Sequence, residues 1–268
     1  MAEVRVQFAQ KGGVGKTLIG MNLAAVNAQA YGRDENGDAQ VAVAVWDPQS
    51  DALWWANRMA DQPFDVINIA HDMDAINDLK DWPYRYVYVD TPGFIPLKPE
   101  QVEAGMDPLS EEPLGDMLRA ILDQATHVIV PMVTEPQSFN ATWRTIELVL
   151  KPYGKDFTVV INNWPPAEGE VYVDDTRSFC ADNGWEVANT VIRRYRVHTN
   201  ASANGQVCTQ YKANQVALQA RADFLALANE LSLHSTDRLQ DELTKLRAQL
   251  AAKTPKQKQK AAKAGVTA

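Results

Sequence analysis

Gln10-Lys11-Gly12-Gly13-Val14-Gly15-Lys16-Thr17 lies between an apolar run, Val4–Ala9, and a helix-length segment, Gly15–Ala30. A strand that runs straight into a glycine-rich turn and then a helix is the setting of a phosphate-binding loop. Gly12, Gly13 and Gly15 let the backbone curl so that successive N–H groups point at phosphate oxygens. The helix that follows adds the positive end of its dipole. Lys16 offers a cation to the β- and γ-phosphates, and the Thr17 hydroxyl suits Mg2+. Val14 and Leu18 belong to the same expected contact set. The stretch predicts binding of a nucleoside triphosphate, with hydrolysis of ATP as the activity.

Around it, 268 residues of which 46% are apolar and 22% charged describe a globular chain able to bury a large core. No run reaches the roughly 18 apolar residues of a membrane span. The first residues, Met1 to Ala9, read as an immediate strand without signal-peptide sections, so a cytoplasmic location is expected. Cys180 and Cys208 stand in no CxxC pair, which predicts two ordinary thiols rather than a disulfide frame or zinc site. Charge is unevenly placed. From Leu233 onward eight Lys/Arg oppose three Asp/Glu, so this end holds +5 of a total of −8 and the preceding residues hold −13. An acidic body with a basic end remains compatible with a polyanion partner, because binding follows local patches.

Apolar runs recur at Val41–Trp46, Phe64–Ile69, Arg85–Val89, His127–Met132, Phe157–Ile161 and Glu186–Ile192. Most are continuous Val/Ile/Ala runs, as strands covered on both faces require. Helices are expected at Ser50–Met59, Leu114–Gln124, Ser138–Leu150, Asp174–Asn183 and Asn214–Leu231. Repeated strand–helix units predict an α/β fold, a doubly wound and mostly parallel sheet with helices on both faces. On such sheets ligands bind at the carboxyl ends of strands. Tyr31–Gln40 reads as a polar surface connection, and Pro92–Pro113, with five prolines, as an irregular excursion. The expected organisation is an ATPase domain over 1–232, a helical extension over 233–252 and a basic disordered tail over 253–268. Leu239, Leu243, Leu246 and Leu250 form a stripe on the extension that suits either packing on the domain or a partner contact.

The loop departs from G-x-x-x-x-G-K-[ST]: Gln10 replaces the first glycine and Lys11 follows it. Lys11 to Thr17 instead resembles the K-G-G-x-G-K-[ST] loop of the deviant Walker P-loop ATPases, the ParA and MinD family, and the similarity runs from about Val4 to Leu231. The resemblance implies that Lys11 reaches the phosphates of a partner copy in an ATP-dependent homodimer. Val45-Trp46-Asp47-Pro48-Gln49 is similar to the family segment D-x-D-P-Q, with Asp47 on the second aspartate, which positions Mg2+ or the attacking water. Val45 replaces the first aspartate. Trp55, Ala56 and Arg58 continue the likeness to small plasmid ParA proteins. Arg85–Val89 running into Asp90-Thr91-Pro92-Gly93 has the Walker B arrangement, whose carboxylate helps hold Mg2+. Gly93 departs from the usual Asp-x-Pro-Pro. Val159 to Asn163 resembles the strand whose asparagine recognises adenine, which points to Asn162.

Arg194, Ala201 and Gly205 match part of a further ParA stretch, with Asn200 and Cys208 departing from it. ParA proteins bind DNA without sequence preference near this stretch and on the late helix. By resemblance Arg193, Arg194, Arg196, Lys212 and Arg221 are the DNA candidates, and contacts to phosphate would be sequence-blind and salt-dependent. The expected function is ATP-driven partition of plasmid or chromosomal DNA, with a nucleoid-associated location and a ParB-like or small DNA-binding partner that stimulates hydrolysis. The alternative is a MinD-like membrane-associated or an organelle-positioning ATPase. A tail of Leu, Ala, Lys and Gln without aromatics argues against membrane insertion. A redox relative would need cluster cysteines near the nucleotide loops, and Cys180 and Cys208 lie far downstream of them. The four histidines show no ligand spacing, and no role is assigned to them.

Overall fold

Val41-Ala42-Val43-Ala44-Val45 is buried at every position, the state of a strand covered on both faces. The computed structural model describes residues 1–46, 51–94, 99–109, 114–212 and 214–233. The chain divides into two compact units, Met1–Ala228 and Asn229–Ala268. Within the second, residues 229–233 are helical.

In the first unit the strands are β1 (Glu3–Gln7), β2 (Val41–Val45), β3 (Asp65–Asn68), β4 (Tyr86–Asp90), β5 (His127–Met132) and β6 (Phe157–Ile161). They form one sheet in the order β3-β2-β4-β1-β5-β6, and every neighbouring pair is parallel. Since all six strands point the same way, their carboxyl ends share one edge. The loop after β1 lies in the middle of that edge, between β4 and β5.

The helices are α1 (Lys16–Tyr31), α2 (Asp51–Ala56), α3 (Met73–Asn77), α4 (Pro99–Glu103), α5 (Leu114–Gln124), α6 (Pro136–Thr145), α7 (Val171–Asp182) and α8 (Arg196–Ala203), and residues 215–228 are also helical. α5 is strongly amphipathic, and its Met117, Leu118, Ile121 and Leu122 join Val4, Val6 and Phe8 of the β1 segment in the main core. The alternate β1 side chains meet α1, and there the interior is polar. Arg5 is fully buried, donates to the Tyr88 hydroxyl at 3.3 Å, pairs with Glu3 at 2.6 Å and lies over the Tyr86 ring. Asn27 of α1 donates to the same Tyr88 hydroxyl at 2.5 Å. Desolvation pushes Tyr88 up to about 12, so it stays a neutral hydroxyl able to serve both donors.

Two expectations change. Glu186–Ile192 is not a seventh strand. Ala188 N–H donates to the Val159 carbonyl and Ile192 N–H to the Ile161 carbonyl, both at 2.9 Å, but only isolated bridges result. Between these points the Asn189 carbonyl accepts from Arg177 at 2.7 Å, so it faces α7 rather than a continuing ladder. The helix expected over Ser138–Leu150 begins at Pro136 and widens to a π turn at Ile146–Leu150. The stripe of leucines at 239–250 and the basic tail lie outside the described residues.

Leu118 is fully buried in the α5 contact, so Leu118→Ala is expected to cost about 3 kcal/mol of stability. Urea denaturation measures it, and the transition should stay a single step.

Candidate nucleotide site

The turn after β1 begins with Phe8 N–H donating to the Ile129 carbonyl of β5 at 3.0 Å. Seven residues later Gly15 caps α1 in the left-handed region, at φ 93° and ψ 31°, where a side chain is strained. Lys16 is buried and turns back over the loop, its ammonium 3.3 Å from the Ala9 carbonyl and 3.4 Å from the Lys11 carbonyl. Its cation therefore stands inside the curve of the backbone, where phosphate oxygens would lie. Thr17 donates its hydroxyl to Asp90 Oδ2 at 2.8 Å. These two oxygen donors come from α1 and from the end of β4, and Asp90 is 3% exposed. A hydroxyl and a carboxylate side by side are hard ligands that suit Mg2+, which takes few protein ligands and completes its shell with phosphate and water. Among the described residues no group of three or more His, Cys, Asp or Glu could hold a metal ion.

Several neighbours hold the loop from outside. Gln10 N–H donates to the Thr145 hydroxyl at 3.1 Å, and that hydroxyl donates in turn to Ala141 at 2.9 Å. The π turn of α6 starts at the next residue. Thr91 donates to the Gln7 carbonyl at 2.6 Å. Gly93 sits where a Cβ would come within 3.1 Å of the Gln10 carbonyl, so the glycine that departs from the family pattern lets the β4 loop lie close to the phosphate loop. Asn162 is 1% exposed, and its amide nitrogen donates to the Val14 carbonyl at 2.7 Å.

A cavity of about 470 Å3 opens over Gly12, Gly13, Gly15, Lys16 and Thr17. Asp51, Trp54 and Trp55 of α2, the Thr91–Gly93 loop, and His198, Thr199 and Ser202 of α8 complete its wall. No motif in the sequence marks α2 or α8 as walls of this cavity. An Arg-Val-His-Thr-Asn-Ala-Ser-Ala helix has no regular apolar period to announce it. α2 and the segment after α8 are joined. Trp55 donates to the Gln206 carbonyl at 3.0 Å, and a Cβ on Gly205 would overlap the Arg58 backbone. Asp47 lies outside the described residues. Lys11 lines a separate hollow with Glu135, Gln137 and Asn163.

The DNA candidates divide. Arg193 grips Asp223 through Nη2 at 2.6 Å and Nε at 3.0 Å, and Arg221 donates to Gln29 at 2.6 Å. Both guanidinium groups are therefore engaged within the fold. Arg194, Arg196 and Lys212 are exposed, and the first two line a hollow beside Leu18 and His198. Cys180 and Cys208 are buried, and desolvation pushes their thiols up to about 11 and about 12. Neither is a thiolate at neutral pH.

No family model matches the chain. The carboxysome distribution maintenance protein A of Gloeobacter kilaueensis is 26% identical over 224 residues, which cover 82% of this chain and 90% of that protein. The MinC:MinD cell division complex of Aquifex aeolicus contains a chain of the same fold, with TM-score 0.62 and 16% identity over 86% of this chain and 96% of that one. The McdA–ATP complex of Cyanothece gives TM-score 0.60 and 12% identity, with 86% and 96% covered.

Burial lowers the His198 imidazole from 6.5 to about 4, against the opposing pull of Asp223. Its Nδ1 pairs with the Tyr211 hydroxyl at 3.1 Å, and Arg193 lies nearby on Asp223. Between these two values the unfolded chain binds a proton that the native state does not, so this group makes stability fall as pH drops from about 6.5 towards 4. His198→Gln is expected to flatten that part of the profile, measured as the urea midpoint at a series of pH values.

Proposed function

We propose that this chain, which belongs to the ParA/MinD family of P-loop ATPases, is an ATP-dependent dimerisation switch that positions a cargo over DNA. The observation that carries the reading is the doubled lysine of the loop. Lys16 is folded into the loop's own curve, whereas Lys11 opens onto a different hollow and is available to a second copy. In this reading Lys16 and the loop amides hold the β- and γ-phosphates of the bound nucleotide. Thr17 and Asp90 would hold Mg2+, which when bound neutralises charge developing on the phosphates. Asp47 is assigned the attacking water or the metal shell. Asn162, whose Oδ1 is buried without a hydrogen bond among the described residues, presents an acceptor suited to the adenine amine. The dimer binds nucleoid DNA through Arg194, Arg196 and Lys212, and a partner protein stimulates hydrolysis and release.

Partition of plasmid or chromosomal DNA by way of a ParB-like adaptor is one cargo class. Positioning of a protein organelle is the other, and the carboxysome-distributing relative favours it. Both use the same switch and differ in the adaptor. A membrane-bound cycle has less support, because the C-terminal sequence of Leu, Ala, Lys and Gln lacks the aromatic residues of an interfacial anchor.

Lys16→Ala is expected to abolish nucleotide binding in calorimetry. Lys11→Ala should keep binding within a few-fold but lose the ATP-dependent dimer in sedimentation velocity. A Lys11→Ala protein that still dimerises with ATP would remove the basis of the switch. Arg194→Ala with Arg196→Ala should weaken DNA binding at low salt for all sequences alike and reduce the salt slope by about 2. Cosedimentation with anionic vesicles, and none with DNA, would replace this reading with the membrane one.

A further inference from the structure

Asn162 stands at the end of β6, where its own N–H donates to the Met132 carbonyl of β5 at 2.8 Å. That bond anchors the residue to the sheet. Its side chain then crosses to the phosphate loop and donates to the Val14 carbonyl at 2.7 Å. A carbonyl oxygen only accepts, so the nitrogen of the amide must face Val14 and the oxygen must face away. The same nitrogen fills the space into which a Cβ of Gly15 would project. Gly15 is thus constrained twice, by its left-handed backbone and by the amide packed against it.

We infer that Asn162 is a positioning residue for the phosphate loop, holding Val14 and Gly15 in the curl that points the loop amides inward. This inference rests on the loop being a nucleotide site and adds a function to the same side chain: Oδ1 is the atom assigned to the base, while Nδ2 shapes the phosphate cradle. The brace has a mechanical logic. Val14 and Gly15 have no polar side chain with which to fix the Val14 carbonyl, and Gly12, Gly13 and Gly15 leave the backbone many alternatives. One donor fixed to the sheet removes them. The loop is then formed before nucleotide arrives, so less binding energy goes into ordering it.

The test separates the two atoms of the amide. Asn162→Asp keeps the shape but sets a carboxylate oxygen against the Val14 carbonyl. In the ligand-free protein, hydrogen exchange of the amides over residues 12–16 should accelerate at least about tenfold, while those of β1 and β5 stay unchanged. Magnesium tripolyphosphate, which has no base, should compete about tenfold less well for a fluorescent ATP analogue than it does on the wild type. Unchanged loop exchange together with unchanged tripolyphosphate competition overturns the inference, whether or not the preference for ATP over GTP falls. If Asn162→Asp fails to fold, Asn162→Ala removes the donor without adding charge, and the same two measurements decide. Wild type and Lys16→Ala are run in parallel. A wild type that binds neither ATP nor tripolyphosphate refutes the nucleotide site itself, while the exchange measurement still reports on the brace.

Discussion

A loop with three glycines has few side chains with which to hold its own shape, and this constraint organises the rest of the site. The loop needs that emptiness, because its amides must converge on a small anion without obstruction. Its shape must therefore come from neighbours. Thr145 fixes Gln10, Thr91 fixes the end of β1, Asn162 fixes Val14, and Gly93 allows the β4 loop to close against it. Thr91 and Gly93 follow β4 and Asn162 follows β6 at one edge of the sheet, while Thr145 comes from the end of α6. A parallel sheet is what makes that possible, since it delivers the ends of β1, β4, β5 and β6 to the same side.

The sheet also explains the polar layer beneath α1. A helix that begins in the phosphate loop must lie close over β1 and β4, and Gly20 permits this by leaving room for the Gln7 amide. Arg5, Asn27 and Tyr88 are then enclosed, and Arg5 and Asn27 both donate to the Tyr88 hydroxyl. Burial disfavours the Arg5 charge, and Tyr88, Glu3 and Tyr86 around it together outweigh that cost and keep the guanidinium protonated. In the same register of α1 against the sheet, Thr17 meets Asp90.

Much of this was legible in the residues. Uninterrupted apolar strands and the loop between β1 and α1 identify a parallel sheet and its ligand edge, because both signals are local. The Thr17–Asp90 pair could be anticipated from motif alone, although the two residues are distant in sequence. What stayed hidden depends on long-range packing. Nothing in Arg196–Ala203 indicates that it forms a wall of the nucleotide cavity, and nothing near Arg193 shows that its charge is committed to Asp223. The segment Glu186–Ile192 has the composition of a strand, yet the Arg177 hydrogen bond to Asn189 draws its backbone away from the ladder. Composition records an inclination, and the competing partner, Arg177, is a residue of α7 twelve positions from Asn189.

The joint between α2 and the turn after α8 carries a hereditary consequence. Trp55 meets the Gln206 carbonyl, and Gly205 lies against the backbone at Arg58, so the two walls of the cavity meet without room for an extra atom. A lineage that replaced Gly205 would have to move the turn at Arg58 in the same step. The two stretches, with Trp55 and Gln206 151 positions apart along the chain, should therefore drift together among descendants of this protein, and neither can be exchanged alone for its counterpart from a distant cousin.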